Sequence, residues 1–87
     1  MNAVVEVSMY PLRDDYIGAI DSYLAALNSD AEIEVKTNRV STQLYGDYDA
    51  VMELLQRATG QAYEQFGTAV FVFKVIPGAG RTVNGYE

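Results

Sequence analysis

The sequence predicts an α+β fold: a ferredoxin-like βαββαβ sandwich, with a four-stranded antiparallel sheet and two helices on one face. Three observations carry that prediction. Four short segments have the alternating or continuous apolar patterning of strands. Two longer segments repeat apolar residues at helical spacing. Their order is strand, helix, strand, strand, helix, strand, which is the split βαβ arrangement. At 87 residues the chain has room for one domain, spanning 1–87 with 77–87 as closing loop and tail. In this topology the first and third strands are central.

The first strand is expected over Ala3 to Tyr10, with Val5, Val7 and Met9 on one face and Glu6, Ser8 and Tyr10 on the other. Pro11 ends it, because proline has no N–H to give to a ladder. Asp14 and Asp15 then offer an N-cap and first-turn negative charge. From Tyr16 the period becomes helical: Ile17, Ile20, Leu24 and Leu27 form a stripe flanked by Tyr16 and Tyr23, ending near Asn28-Ser29.

A second strand is expected from about Ala31 to Asn38, with Ile33, Val35 and Thr37 inward. Asn38-Arg39 reads as a short turn, since asparagine supports turn geometry. The third strand, Val40 to Tyr45, places Val40, Thr42 and Leu44 on one face and Ser41, Gln43 and Tyr45 on the other. Gly46 is expected to break it and Asp47 to cap the second helix. That helix carries Val51, Leu54, Leu55, Ala58, Ala62 and Phe66, is weakened by Gly60 and stops at Gly67. The fourth strand, Thr68 to Ile76, is so apolar that both its faces are expected to be covered. Pro77-Gly78-Ala79-Gly80 closes it, and Arg81 to Glu87 shows no period.

Composition narrows the function. Cysteine and histidine are both absent, which removes disulfides, thiol chemistry, Cys/His zinc sites and any imidazole base. The formal charge is −6 and the six basic residues are scattered, so no stripe serves nucleic acid or an anionic membrane. No basic leader with an apolar core opens the chain, and no apolar run reaches the roughly 20 residues of a membrane span. A cytoplasmic location fits these features. The acidic pairs Asp14-Asp15 and Asp47-Asp49 are helix-start residues, and Glu32-Glu34 is a solvated strand face. No catalytic constellation, metal site or cofactor motif stands out.

Binding remains. Thr37 and Thr42 fall where inward aliphatic residues are expected, and a hairpin turn at Asn38-Arg39 brings them together. A buried hydroxyl left without a partner costs about 1–3 kcal/mol, so each must bond to backbone, water or ligand. Tyr16 and Tyr48, at the two helix starts, could wall a flat heteroaromatic ring, and Asp15 or Asn38 could read its nitrogens. On the open sheet face, Tyr10, Tyr45 and either Val70 and Val72 or the alternate set on the last strand make a surface too apolar for free solvation. A homodimer or higher homo-oligomer through that face is expected.

Two segments resemble a known family. Val7-Ser8-Met9-Tyr10-Pro11-Leu12, followed by Asp14-Asp15-Tyr16-Ile17, is similar to the opening of the YkoF-like thiamine/hydroxymethylpyrimidine-binding proteins. Lys36-Thr37-Asn38-Arg39-Val40-Ser41-Thr42, followed by Leu44-Tyr45-Gly46-Asp47, resembles their second signature. The likeness runs from about Val4 to Ile76. It implies a ferredoxin-like fold, binding of thiamine or its pyrimidine portion without catalysis, and association of two domains through their sheets. Carried over, the pocket residues are Ser8, Tyr10, Thr37, Asn38, Ser41 and Thr42. A rival expectation is an oligomerisation module with no pyrimidine ligand. A ferredoxin-like oxygenase or isomerase is disfavoured by the missing histidine.

Overall fold

Strand β1 (Asn2–Pro11), helix α1 (Tyr16–Leu27), strands β2 (Glu34–Thr37) and β3 (Thr42–Asp47), helix α2 (Tyr48–Phe66) and strand β4 (Ala69–Pro77) follow one another in a computed structural model that describes residues 1–78. The expected turn through Gly80 and the tail lie outside the described residues. The sheet order is β2-β3-β1-β4, and every pairing is antiparallel. This is the ferredoxin-like α+β fold, with the first and third strands central.

The period-two pattern sets the faces. Val5 pairs with Leu44 and Val7 with Thr42, so these four share the helix-covered face. Glu6 pairs with Lys74, Ser8 with Val72 and Tyr10 with Val70, so these six share the open face. Among the two sets considered for the last strand, Val70, Val72 and Lys74 therefore face outward with β1's polar residues. The core packs Val5, Val7 and Leu44 under Tyr23 and Leu27 of α1 and Val51, Leu54, Leu55, Ala58 and Ala62 of α2. Each large aliphatic side chain fully removed from water there stabilises the fold by about 1.5–3 kcal/mol.

Local chemistry sets the helix ends. The Asp47 carboxylate accepts the Ala50 N–H at 3.2 Å, capping α2 as expected. Gly67, at φ 82°, ends it, its N–H donating to the Tyr63 carbonyl at 2.9 Å. At the end of α1, Asn28 Nδ2 donates to the Leu24 carbonyl (2.8 Å) and Ser29 Oγ to the Ala26 carbonyl (2.6 Å). These two residues satisfy carbonyls that the helix leaves open. Asp15 occupies the N-cap position of α1 but makes no side-chain cap bond.

Four expectations shift. The buried stripe of α1 is Ala19, Tyr23 and Leu27, whereas Ile17 is 62% exposed. The residues before Glu34 are turn, and β3 begins at Thr42, leaving Val40 exposed on the loop. Gly46 does not break β3. It is buried within it, paired with Ala3, and an added Cβ would lie 3.3 Å from Ile33 Cγ1. The lack of a side chain lets Ile33 and Val51 pack over this part of the strand. Finally, β4 is an edge strand whose faces are only partly covered: Val72, Phe73 and Val75 are all exposed. Phe71 is its main inward anchor, 4.9 Å from the Tyr23 ring.

Candidate functional site

The β2–β3 hairpin is closed by a side chain. Asn38 Oδ1 accepts the backbone N–H groups of Val40 (2.8 Å) and Ser41 (3.0 Å), and the Asn38 N–H donates to the Ser41 carbonyl (3.0 Å). Asparagine does this because its short amide can mimic a backbone turn. The central turn residues are thus Arg39 and Val40, one position later than the sequence reading placed them. Behind the turn Thr37 pairs directly with Thr42. Their hydroxyl oxygens are 3.1 Å apart, with Thr42 buried and Thr37 exposed. One hydroxyl donates to the other, which leaves a single proton of the pair for a third group.

A gap in the sheet makes the cleft. The β1–β3 ladder ends at Val7 and Thr42, while β1 continues to Pro11 paired with β4 alone. Beyond Val7 the β3 side of β1 has no strand partner among the described residues. The space is bounded by Val7 to Tyr10 of β1, by Ile20, Tyr23 and Leu24 of α1, and by Thr37 to Thr42 of the hairpin. Its volume is about 220 Å³.

Tyr23, which the sequence pattern placed only at the flank of the α1 stripe, is a further cleft residue. It is 3% exposed and lines the cleft, and its phenol oxygen has no hydrogen-bond partner. Burial pushes the phenol well above its ordinary pKa of 10.0, so the group stays protonated and can donate. An unpaired buried hydroxyl in an otherwise satisfied core is a cost that a bound acceptor would remove.

Of the sequence-predicted residues, Ser8, Tyr10, Thr37, Asn38, Ser41 and Thr42 come together around this cleft. Asp15 and Tyr16 do not line it; both are exposed at the start of α1. Tyr48 is likewise outside the lining, its N–H held by the Met1 carbonyl at 2.8 Å. Ser41 has a second attachment: its hydroxyl donates to Glu6 Oε2 at 2.9 Å, and Glu6 Oε1 lies 3.6 Å from Lys74 Nζ. Arg39 is, among the described residues, the one formally charged residue in the lining, and no carboxylate lines it. Among the described residues no group of three or more acidic side chains could hold a metal, and no helix is long and apolar enough to cross a membrane.

Comparison with known proteins follows the same segments. The chain matches the YKOF-related family over residues 2–75, which includes every strand but the last two residues of β4 and both helices. It belongs to that family. As a member of the YKOF-related family, it is similar in structure to a Streptococcus pneumoniae protein at 25% identity and a TM-score of 0.82, covering 91% of this chain and 89% of that one. A Thermotoga maritima protein provisionally assigned to thiamine biosynthesis or salvage is 13% identical with a TM-score of 0.78, over 86% and 82% of the two chains. A domain of unknown function from Bacillus cereus is 16% identical with a TM-score of 0.79, over 95% and 84%. At 13% and 16% identity, the last two likenesses speak to fold alone. No curated protein matches the sequence.

Proposed function

We propose that this chain, acting as one domain in the cytoplasm, binds thiamine or its hydroxymethylpyrimidine moiety without catalysing a reaction. It serves as a carrier, salvage accessory or sensor. The observation that carries the reading is that two segments far apart in sequence, Val7 to Tyr10 and Thr37 to Thr42, border a single cleft. These are the segments whose sequence resembles the family's pocket. The hydroxyls of Thr37, Thr42 and Tyr23 and the amide of Asn38 supply hydrogen bonds suited to a ring with several nitrogens. The Thermotoga neighbour's provisional assignment to thiamine metabolism points the same way. Isothermal titration with thiamine and with hydroxymethylpyrimidine tests it: saturable heat with at least one is expected, and heats no larger than the buffer control for both reject it.

The open sheet face supports pairing of two copies. Tyr10, Val70 and Val72 lie on it at 57%, 47% and 45% exposure, an apolar surface that a small domain gains by hiding. Size-exclusion chromatography with light scattering reads the mass directly, and a monomer at micromolar concentration removes this part of the proposal.

A second reading, an oligomerisation module with no pyrimidine ligand, is favoured by one observation. Thr37 and Thr42 bond each other at 3.1 Å within the protein itself. Thr42→Val separates the two. The module reading expects no effect on titration heats, whereas a pyrimidine binder loses affinity.

A further inference from the structure

The charge of the cleft is opposite to the charge of the protein. The chain as a whole is acidic at −6, yet among the described residues the cleft lining holds one cation, Arg39, and no anion. Arg39 is exposed on the hairpin turn, and no ion pair or hydrogen bond engages its side chain among the described residues. Glu6 reaches a cleft residue through Ser41, but it sits on the open face with Lys74, outside the lining. Its bond also commits the Ser41 proton, so Ser41 faces a ligand as an acceptor only.

Of the polar side chains in the lining, Asn38 Nδ2 and the Arg39 guanidinium can only donate, and the hydroxyls of Ser8, Tyr10, Tyr23 and the threonine pair can donate as well as accept. Asn38 Nδ2 is fixed as the outward end because Oδ1 already accepts two backbone N–H groups. A donor-rich cleft favours ring nitrogens and phosphate oxygens. At about 220 Å³ it is also smaller than the roughly 300–1,000 Å³ of sites that enclose drug-sized molecules. One ring fits. The second ring of thiamine, a thiazolium cation, has to lie at or beyond the rim, where the charge is Arg39.

We propose that the cleft selects an uncharged pyrimidine and, more tightly, its phosphate monoester paired with Arg39, and that it discriminates against cationic thiamine. This deepens the pyrimidine-binding reading and rests on it. The phosphate of such an ester carries about −1.5 to −2 charge at neutral pH. Against an exposed arginine the gain is at most about fivefold, because solvent screens the pair.

Titration of the intact protein with four probes tests this: hydroxymethylpyrimidine, its phosphate monoester, thiamine and inorganic phosphate. The expected order is ester, then hydroxymethylpyrimidine, then thiamine, with inorganic phosphate weakest. Raising the salt from about 0.05 to about 0.5 M should shrink the ester's advantage and leave hydroxymethylpyrimidine unchanged, since only the charged contact is screened. Arg39→Glu should reverse the order of ester and thiamine. Its melting curve reports whether the exposed turn still folds. Thiamine binding as tightly as the ester, or an Arg39→Gln variant that keeps the ester's advantage, overturns the selectivity and leaves the pyrimidine reading intact. Inorganic phosphate matching the ester overturns it too. Silence from all four probes rejects both.

Discussion

Replacing Tyr23 by phenylalanine removes one oxygen and almost nothing else. The ring contact with Phe71, at 4.9 Å and 47°, survives, and so does the packing against both helices. The phenol oxygen is buried with no partner, so the native state carries a desolvation cost of about 1–3 kcal/mol for it. A void of about 20 Å³ beside Tyr23, between α1 and α2, is large enough for one water, and a water there in reach of the phenol would recover part of that cost. The expected gain for Tyr23→Phe is therefore at the low end, about 1 kcal/mol, or a rise of roughly 4–8 °C in Tm for a domain this small. Urea unfolding with matched m-values gives the number. The pH dependence has a definite sign. The folded phenol titrates above its unfolded value of 10.0, so its contribution is full below pH 10 and is lost as pH rises through and beyond that value. Above pH 10 wild type should lose about 1.4 kcal/mol per pH unit relative to Tyr23→Phe. The same variant should bind a pyrimidine about 2- to 12-fold more weakly, from the loss of one hydrogen bond worth about 0.5–1.5 kcal/mol. A variant less stable than wild type by about 1 kcal/mol or more refutes the reasoning, because it means that the phenol already has a strong partner in the free protein.

Three further changes probe other parts of the molecule. Gly60 sits exposed inside α2, with no atom within 4 Å of an added Cβ, so Gly60→Ala should raise stability by about 0.8–1 kcal/mol in thermal or urea unfolding. Asn38→Ala removes two hydrogen bonds to the turn and should cost about 1–2 kcal/mol, whereas Asn38→Asp keeps the acceptor and should stay within about 0.5 kcal/mol of wild type. Because the aspartate variant exchanges a donor for an anion at the cleft, its titration should show weaker binding of a phosphate ester. Val72→Glu places a charge on the open sheet face beside Ser8, and light scattering should show a lower mass if two copies meet there.

The fold was legible because its two periodicities are clean. Val5, Val7 and Met9 against Glu6, Ser8 and Tyr10 define the faces of β1 without any tertiary information, and the observed pairings keep that division. Boundaries were less legible where a residue's role depends on a neighbour. Gly46 looks like a breaker until Ile33 and Val51 are seen to need the space above it. The apolar run Val70 to Phe73 reads as a strand buried on both sides, yet it forms an edge. Hydrophobicity reports that a surface is to be covered; it does not report whether the same chain or a second copy covers it.

The site divides along the same line. Thr37, Asn38, Ser41 and Thr42 could be found because they depart from the strand pattern around them, and departures of polar residues into apolar positions are visible in one dimension. Tyr23 is a departure of the same kind that the pattern hid. The stripe Ile17, Ile20, Leu24, Leu27 is more apolar than Ala19, Tyr23, Leu27, so a count of hydrophobic residues turns α1 by nearly one position. That leaves Tyr23 as a flank. What decides the true phase is the small Ala19, 0% exposed, which lets α1 lie close to the sheet, while Ile17 in the first turn is left to solvent. Once the helix is turned to that phase, a tyrosine becomes its central buried residue and must find a place for its hydroxyl. The only side-chain oxygen left unpaired in the described interior thus belongs to a residue that borders the cleft. That coincidence makes Tyr23→Phe the sharper probe of the cleft than any of the residues that the sequence marked. Thr37 and Thr42 already bond each other at 3.1 Å, whereas the Tyr23 phenol is the one buried side-chain group among the described residues that has no partner.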